Sequence, residues 1–163
     1  SLVLRGDISA LSPEERAKLW EARHNVLYAT IASRPGCKAW TSDVCVPIAH
    51  LAECIVETQQ DLAASHLVAP LVGHAGDGNF HLIFMLDPDD PDELARVAAA
   101  NHRLVERALK FGGTCTGEHG VGVGKLKYLE QEHGPEALEL MRTIKRAVDP
   151  RNLMNPGKLV PGV

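Results

Sequence analysis

The chain has 163 residues, of which 45% are hydrophobic and 23% charged, and its formal net charge is −4. This length suits one well-buried domain and is short for two. The acidic balance, the lack of a basic run and an aromatic content of 4% argue against a nucleic-acid partner. No apolar stretch approaches the 18 or so residues of a membrane span.

The beginning of the chain and its cysteines bear on where the protein works. Ser1-Leu-Val-Leu-Arg-Gly-Asp7 resembles neither a signal peptide nor a transit peptide, and we expect the chain to be a piece of a longer protein. The four cysteines lie far apart without a Cys-x-x-Cys pair. We therefore expect reduced thiols in an intracellular protein rather than disulfides or a cysteine zinc site.

The first third of the chain predicts two helices and a short strand. The run Ser12-Pro-Glu-Glu15 predicts a helix start, because the serine caps, the proline fits the first turn and Glu15 completes a capping box. Pro35-Gly36 marks a loop, and residues 43–47 predict a short strand ended by proline. Apolar residues at helical spacing then predict a second helix from Ile48 to about residue 65.

The rest of the chain predicts a hairpin followed by helices. Residues 68–73 and 80–86 are strand-like runs joined by Ala-Gly-Asp-Gly-Asn, which indicates a hairpin. Asp90-Pro91 opens a long helix that Gly112-Gly113 ends. A short strand over 114–116 and helices over about 122–132 and 135–148 complete the pattern. It predicts an α+β domain with an antiparallel sheet and helices packed on one face.

Two histidines and a later Glu-His pair carry the strongest chemical signal. His74 and His81 flank the glycine-rich turn of the hairpin, and Gly117-Glu118-His119-Gly120 follows. Two imidazoles and one carboxylate are a common ligand set for a catalytic divalent metal with an open position for substrate. His119 is then free to move a proton. The alternative is two unrelated surface histidines, since a spacing of seven on one strand places them on opposite faces.

Three further features leave alternatives open. Asp77 lies between two glycines and fits an Asx-type turn better than a fourth metal ligand. The run 117–125 looks like a phosphate loop but matches neither nucleotide-binding fingerprint. Arg23 is three residues from Trp20 and four from Leu27, on or beside the buried face of its helix. Its partner there is either a protein carboxylate or a substrate carboxylate.

Together these residues resemble the C-terminal half of FAD-linked oxidases of the vanillyl-alcohol oxidase type. The likeness spans nearly the whole chain and is strongest to the group that contains FAD-dependent D-lactate dehydrogenases, glycolate oxidase flavin subunits and D-2-hydroxyglutarate dehydrogenases. The most specific motifs are His74-Ala-Gly-Asp-Gly-Asn-Phe-His81 and Gly117-Glu-His-Gly120. Others are Leu19-Trp-Glu-Ala-Arg-His24, Arg34-Pro-Gly-Cys-Lys38, Ser42-Asp-Val-Cys-Val-Pro47 and Asp149-Pro-Arg-Asn-Leu-Met-Asn-Pro-Gly-Lys158.

The resemblance implies metal, catalytic and cofactor roles for five residues. His74, His81 and Glu118 would hold a divalent metal, zinc or manganese. His119 would be the general base, and Asn155 would lie near the flavin ring. Glu118 and His119 would also face the FAD.

The resemblance also implies how substrate binds. Arg23 would bind the substrate carboxylate, and Lys38 is a weaker candidate for the same anion. D-2-hydroxyglutarate dehydrogenases carry an asparagine two positions after the second motif histidine, where this chain has Ile83. This departure favours a small or apolar substrate side chain, as in D-lactate.

The implied domain organisation covers residues 1–163 as a ferredoxin-like substrate (cap) domain, with C-terminal helices from about residue 120 that return toward the flavin. In this family FAD is bound mainly by an N-terminal domain, which we do not recognise in the chain. We therefore expect the chain to be inactive on its own. A glycolate oxidase flavin-subunit fragment, a metal-dependent hydrolase and a non-catalytic metal-binding module are the alternative functions.

The implied reaction oxidises D-lactate, or a similar small D-2-hydroxy acid, to the 2-oxo acid and passes electrons to a cytochrome or quinone. The implied protein partners are the FAD-binding domain and a second copy of the chain in a homodimer. The implied location is the cytoplasm or the periphery of the inner membrane in a bacterium, and the mitochondrion in a eukaryote.

Overall fold

The structure, a computed structural model, describes residues 12–160 and residue 162. The start of the chain, on which the expectation of a longer protein depends, lies outside these residues. The described elements are α1 (Pro13–Ala32), β1 (Lys38–Thr41), β2 (Val44–Cys45), α2 (Ile48–Ala64), β3 (Leu71–His74), β4 (Asn79–Leu86), α3 (Pro91–Lys110), α4 (Leu129–His133) and α5 (Pro135–Val148), with short 3-10 helices at Ala75–Asp77 and Leu126–Tyr128.

The long strand β4 is the centre of an antiparallel sheet. β1 and β2 lie along one of its edges in one register, which places Thr41 opposite Ile83 and Val44 opposite Phe80. β3 pairs with the other edge. An isolated bridge joins Thr114 to β2. The strand predicted over 114–116 is therefore reduced to this single bridge. This strand order, with α2 and α3 as connections, is that of a ferredoxin-like β-α-β-β-α-β fold, and it confirms the α+β prediction.

The apolar core lies between α2, α3 and one face of the sheet. Side chains on a strand alternate between faces, and every second residue of β4 from Phe80 to Leu86 belongs to the core. Each fully buried side chain of this kind stabilises the fold by about 1.5–3 kcal/mol. The core residues from the two helices include Cys54, Leu62, Val97, Ala100, Leu104, Val105 and Ala108. The other face of β4, with Asn79 and His81, is left for the site.

Local signals placed most helix boundaries correctly. Ser12 and Glu15 form the predicted capping box, and Asp90 accepts hydrogen bonds from the backbone N–H groups of Asp92 and Glu93 at the start of α3. The helix predicted from 122 begins only with the 3-10 turn at Leu126. Glycines at 120 and 122 hold the preceding backbone at φ +80° and +52°, which is a left-handed conformation that a helix does not accept.

Two findings differ from the sequence patterns. The strand β1 was not predicted, and α1 leaves much of its apolar face uncovered, since Trp20 is 60% exposed.

All four cysteines are free thiols. Among the described residues there is no helix of the length and hydropathy that a membrane crossing requires.

Candidate active site and metal centre

The β3–β4 hairpin brings the two motif histidines to one face of the sheet. His74 lies opposite Asn79, and directly paired residues point to the same face. Asn79 and His81 are two residues apart on β4 and share that face as well. The turn between the strands needs glycine at Gly78, where φ is +75° and a Cβ atom would lie 2.0 Å from the carbonyl oxygen of Val46. The predicted hairpin is present, and it brings the two histidines together on one face of the sheet.

Glu118 completes a cluster with the two histidines. Its Oε1 lies 2.9 Å from Nε2 of His81, and its Oε2 lies 3.8 Å from Nε2 of His74. One ligand atom from each residue lies within 4.8 Å of the others. Ligand atoms about 2.1 Å from a tetrahedral ion are roughly 3.4 Å apart, so small side-chain shifts would suffice. Two nitrogens and one oxygen suit zinc or manganese, and the residues fit a divalent ion.

His119 lies beside this cluster with its ring open to solvent. Its imidazole stacks on that of His81, with ring centroids 4.9 Å apart and an interplanar angle of 10°. Its Nε2 is 3.6 Å from Oε1 of Glu118, and 52% of its side chain is exposed. A hydroxyl group held at the cluster would therefore lie within reach of His119, as a general base requires.

Asp43 is the buried carboxylate of the site, and the sequence did not reveal its role. Its carboxylate accepts hydrogen bonds from Nδ2 of Asn79, Oγ1 of Thr116 and the backbone N–H groups of Glu118 and His119. Burial raises the pKa of Asp43, but these hydrogen bonds outweigh burial and hold the pKa below its ordinary value. Asp43 is therefore ionised at neutral pH. The available signal was an acidic residue within an otherwise apolar strand run.

Ser42 lies opposite Leu82, next to His81, and interrupts the hydrogen-bond ladder between β1, β2 and β4 there. Its N–H donates to the carbonyl of Leu82, but its hydroxyl, not its carbonyl, accepts from the N–H of Leu82. The carbonyl oxygen of Ser42 lies instead 3.0 Å from Nδ1 of His81. A carbonyl only accepts, so this contact assigns a proton to Nδ1 and leaves Nε2 to face Glu118.

The loop that carries Glu118 presses closely against this buried network. A Cβ atom at Gly117 would lie 1.8 Å from Nδ2 of Asn79, so only glycine allows the approach. Further along, Lys125 donates from Nζ to the carbonyl oxygen of Asp43 at 2.9 Å, and burial lowers the pKa of Lys125. Gly117 therefore serves close packing of the loop on the carboxylate, whereas a Cβ at Gly120, Gly122 or Gly124 would meet nothing within 4 Å.

The other predicted site residues lie apart from the cluster. Arg23 is half-buried on α1 and has no ion pair within residues 12–160. Lys38 is exposed and lies opposite Leu86, which is about 16 Å along β4 from His81. Asn155 is exposed and has a left-handed φ of 49°. The structure thus groups the predicted metal ligands and base but not these three residues. Their roles stay predictions.

The C-terminal segment returns to the loop that follows His119. Asp149 accepts hydrogen bonds from Lys145 and from the backbone N–H groups of Leu153 and Met154. The Lys145 hydrogen bond is the largest cause that lowers the pKa of Asp149 to about 2. The backbone N–H of Leu159 then donates to the carbonyl of Gly122 at 2.9 Å. These bonds bring the segment that contains Asn155 back to the glycine-rich loop.

Asp77, weighed above as a fourth ligand, lies in the 3-10 turn of the hairpin. It belongs to neither of the two groups of possible ligands found among the described residues. The second group joins Asp43 to His81 and His119. The carboxylate oxygens of Asp43 already accept hydrogen bonds from Asn79, Thr116 and two backbone N–H groups. The group that contains Glu118 is therefore the better candidate metal site.

Comparison with known proteins agrees with the motifs. The family described as "FAD linked oxidases, C-terminal domain" matches residues 3–159. The chain is 54% identical over 147 residues to "Probable D-lactate dehydrogenase, mitochondrial" of Danio rerio, covering 90% of this chain and 30% of that protein. It is 49% identical over 152 residues to "D-lactate dehydrogenase [cytochrome], mitochondrial" of Arabidopsis thaliana, covering 93% and 27%.

A third relative is "Glycolate oxidase subunit GlcD" of Bacillus subtilis, which is 40% identical over 152 residues, covering 93% of this chain and 32% of that protein. The chain thus spans between a quarter and a third of the length of these relatives. Because the family match covers almost the whole chain, the chain belongs to the C-terminal domains of the FAD-linked oxidases.

Proposed function

We propose that this chain is the substrate- and metal-binding part of a flavin-dependent dehydrogenase that oxidises D-lactate, or a similar small D-2-hydroxy acid, to the 2-oxo acid. The observation that carries the proposal is the convergence of His74, His81 and Glu118, with the exposed imidazole of His119 stacked beside them. The FAD-linked family supports the flavin. FAD would be held mainly by another part of the full protein.

The chemistry assigns separate tasks to these residues. Oxidation of a 2-hydroxy acid removes a proton from the hydroxyl group and a hydride from the carbon that carries it. A divalent ion on His74, His81 and Glu118 would lower the pKa of the hydroxyl group, and the flavin would accept the hydride. His119 accepts the hydroxyl proton, because its Nε2 lies 3.6 Å from Glu118 of the cluster and half of its side chain is exposed.

Ile83 supports a substrate with a small or apolar side chain. It follows His81 by two residues on β4, so it faces the same side of the sheet, and it is only 2% exposed. Because Ile83 has no hydrogen-bond donor, a second substrate carboxylate would lose water without gaining a partner from this position. The methyl group of D-lactate carries no such cost, and several of the relatives are named D-lactate dehydrogenases.

The remaining roles depend on family likeness more than on geometry. Arg23 is half-buried without an ion pair in the described part of the chain, and a guanidinium that leaves water needs an anion. We assign it the substrate carboxylate. Lys38 stays the weaker candidate, and Asn155 is proposed to meet the flavin. A cytochrome is the proposed electron acceptor, as named for the Arabidopsis relative, with a mitochondrial location if the source is a eukaryote.

The substrate assignment is tested in a chimera. The matching segment of the Danio rerio relative is replaced by this chain, and the purified flavoprotein is mixed anaerobically with D-lactate. We expect loss of the oxidised-flavin absorbance, with kcat/KM about 10-fold or more higher than for glycolate, which lacks the methyl group. L-lactate is the control. A chimera that holds stoichiometric FAD but is reduced by no 2-hydroxy acid would contradict the proposal.

In the same chimera, Arg23→Ala is expected to raise KM for D-lactate about 10–100-fold with kcat nearly unchanged. Hydrogen bonds to charged groups contribute about 1.5–3 kcal/mol, and Arg23 would bind the carboxylate equally in the ground and transition states. Lys18→Ala, an exposed cation on the same helix, is the matched control. An unchanged KM in Arg23→Ala would remove this residue from the substrate site.

A further inference from the structure

We infer that Asp43 is a positioning residue whose buried carboxylate holds the proposed ligands His81 and Glu118 in their metal-binding arrangement. The inference rests on the proposed metal site. Nothing in the motif pattern or in the family description gives this residue a role. Its side chain is 3% exposed, and its carboxylate oxygens already accept hydrogen bonds from neighbouring residues, so it acts through the residues that it holds.

The contacts of Asp43 extend to both ligands. The backbone N–H of Glu118 lies 3.2 and 3.1 Å from its two carboxylate oxygens, and the N–H of His119 donates to Oδ2 at 2.9 Å. Two consecutive amides bound to one carboxylate fix the backbone from which the Glu118 side chain reaches His81. On the other side, Oδ1 lies 3.6 Å from Nδ1 of His81.

The hydrogen-bond donors to the Asp43 carboxylate carry no charge. Within residues 12–160 it forms no ion pair with lysine or arginine, and its hydrogen-bond donors are neutral amides and a hydroxyl. Lys125 donates to its backbone carbonyl instead and attracts the carboxylate only through space. A buried carboxylate is costly unless its charge is compensated. A divalent ion on the neighbouring ligands would add positive charge near it.

The strand geometry explains why the carboxylate lies where it does. The common register of β1 and β2 places Asp43 opposite His81 on β4, and Ser42 opposite Leu82. Asp43 and His81 therefore face the same side of the sheet. The interruption of the ladder at Ser42 turns its carbonyl toward Nδ1 of His81. The dipeptide Ser42-Asp43 thus orients the ring of His81 and the backbone of Glu118.

The test compares Mn²⁺ binding by the 163-residue chain and two variants, measured by the electron paramagnetic resonance signal of free Mn²⁺. Outer partners of metal ligands typically contribute 10–100-fold to affinity, so Asp43→Asn should raise the Kd by about that factor. Glu132→Gln is the matched control. Glu132 is a largely buried carboxylate, with 11% of its side chain exposed, and it accepts a hydrogen bond from the backbone N–H of Cys115. It lies outside the cluster and should change the Kd less than about twofold.

Backbone amide resonances separate this inference from the proposed function. In Asp43→Asn the amide protons of Glu118 and His119 should move upfield while that of Cys115 stays. Glu132→Gln should give the reverse pattern. If wild-type chain binds no Mn²⁺ but these shifts occur, the metal proposal fails and the positioning role stands. Unchanged Glu118 and His119 amides, or unchanged Mn²⁺ affinity in Asp43→Asn beside a wild type that binds, would overturn the inference.

A second variant decides the case if Asp43→Asn does not fold. Thr116→Val keeps the shape of the side chain and the charge of Asp43 but removes one donor to Oδ2. It should weaken Mn²⁺ binding in the same direction by a smaller factor and shift the same two amides. A folded Thr116→Val chain with wild-type affinity and wild-type amide positions would overturn the inference.

Discussion

Replacing His119 with alanine is expected to lower kcat for D-lactate about 10²–10⁴-fold in the flavin-containing chimera, which is the usual contribution of a general base. The hydroxyl proton must leave before or with the hydride, and His119 is the exposed base beside the cluster. Its backbone N–H, which donates to Asp43, remains in the variant. The loss should therefore appear in kcat and leave Mn²⁺ affinity nearly unchanged.

Two controls make the His119 result specific. His50→Ala removes another exposed histidine, one that stacks on Phe111 away from the cluster, and should leave kcat unchanged. Because the His119 ring is half open to solvent, added imidazole should restore part of the activity of His119→Ala but not of a metal-ligand variant. Wild-type turnover by His119→Ala at neutral pH would exclude His119 as the base.

Most of the fold could be predicted because its signals are local. The capping residues Ser12 and Asp90 lie beside the helices that they start, and the glycine-rich turn lies between the two strands that it joins. β1 was not predicted because its four residues carry no clear alternation, although the loop predicted at Pro35-Gly36 precedes them. Helical spacing placed Trp20 and Leu27 on one side of α1, but spacing does not reveal whether another element covers that side.

The residues of the candidate site divide in the same way into those that local sequence signals could group and those that only the folded sheet brings together. The ligands His74 and His81 could be grouped because a single hairpin carries both. Asp43 could not be placed, since its partners are 36 to 76 residues away along the chain, and only the sheet register brings them together. Spacing placed Arg23 beside a buried helix face but could not supply its partner, and in residues 12–160 the structure supplies none.

Removing the imidazole of His81 is expected to abolish Mn²⁺ binding by the 163-residue chain, with a Kd increase beyond the roughly 100-fold limit for outer partners. His81 is the central member of the cluster, since its Nε2 lies 2.9 Å from Glu118. Its ring is only 6% exposed and contacts the carbonyl of Ser42. His81→Ala should therefore also lower the free energy of unfolding by about 1–3 kcal/mol, because that buried carbonyl loses its donor.

His74→Ala separates the two effects of the His81 substitution. The side chain of His74 is 44% exposed and makes no hydrogen bond to the buried network, so its loss should leave the free energy of unfolding within about 0.5 kcal/mol of wild type. Its loss should nevertheless remove a ligand and weaken Mn²⁺ binding beyond the roughly 100-fold range of outer partners. Measured together, urea unfolding and Mn²⁺ titration should show both variants defective in binding but only His81→Ala defective in stability. Wild-type Mn²⁺ affinity in either variant would remove that histidine from the metal site, whatever happens to stability.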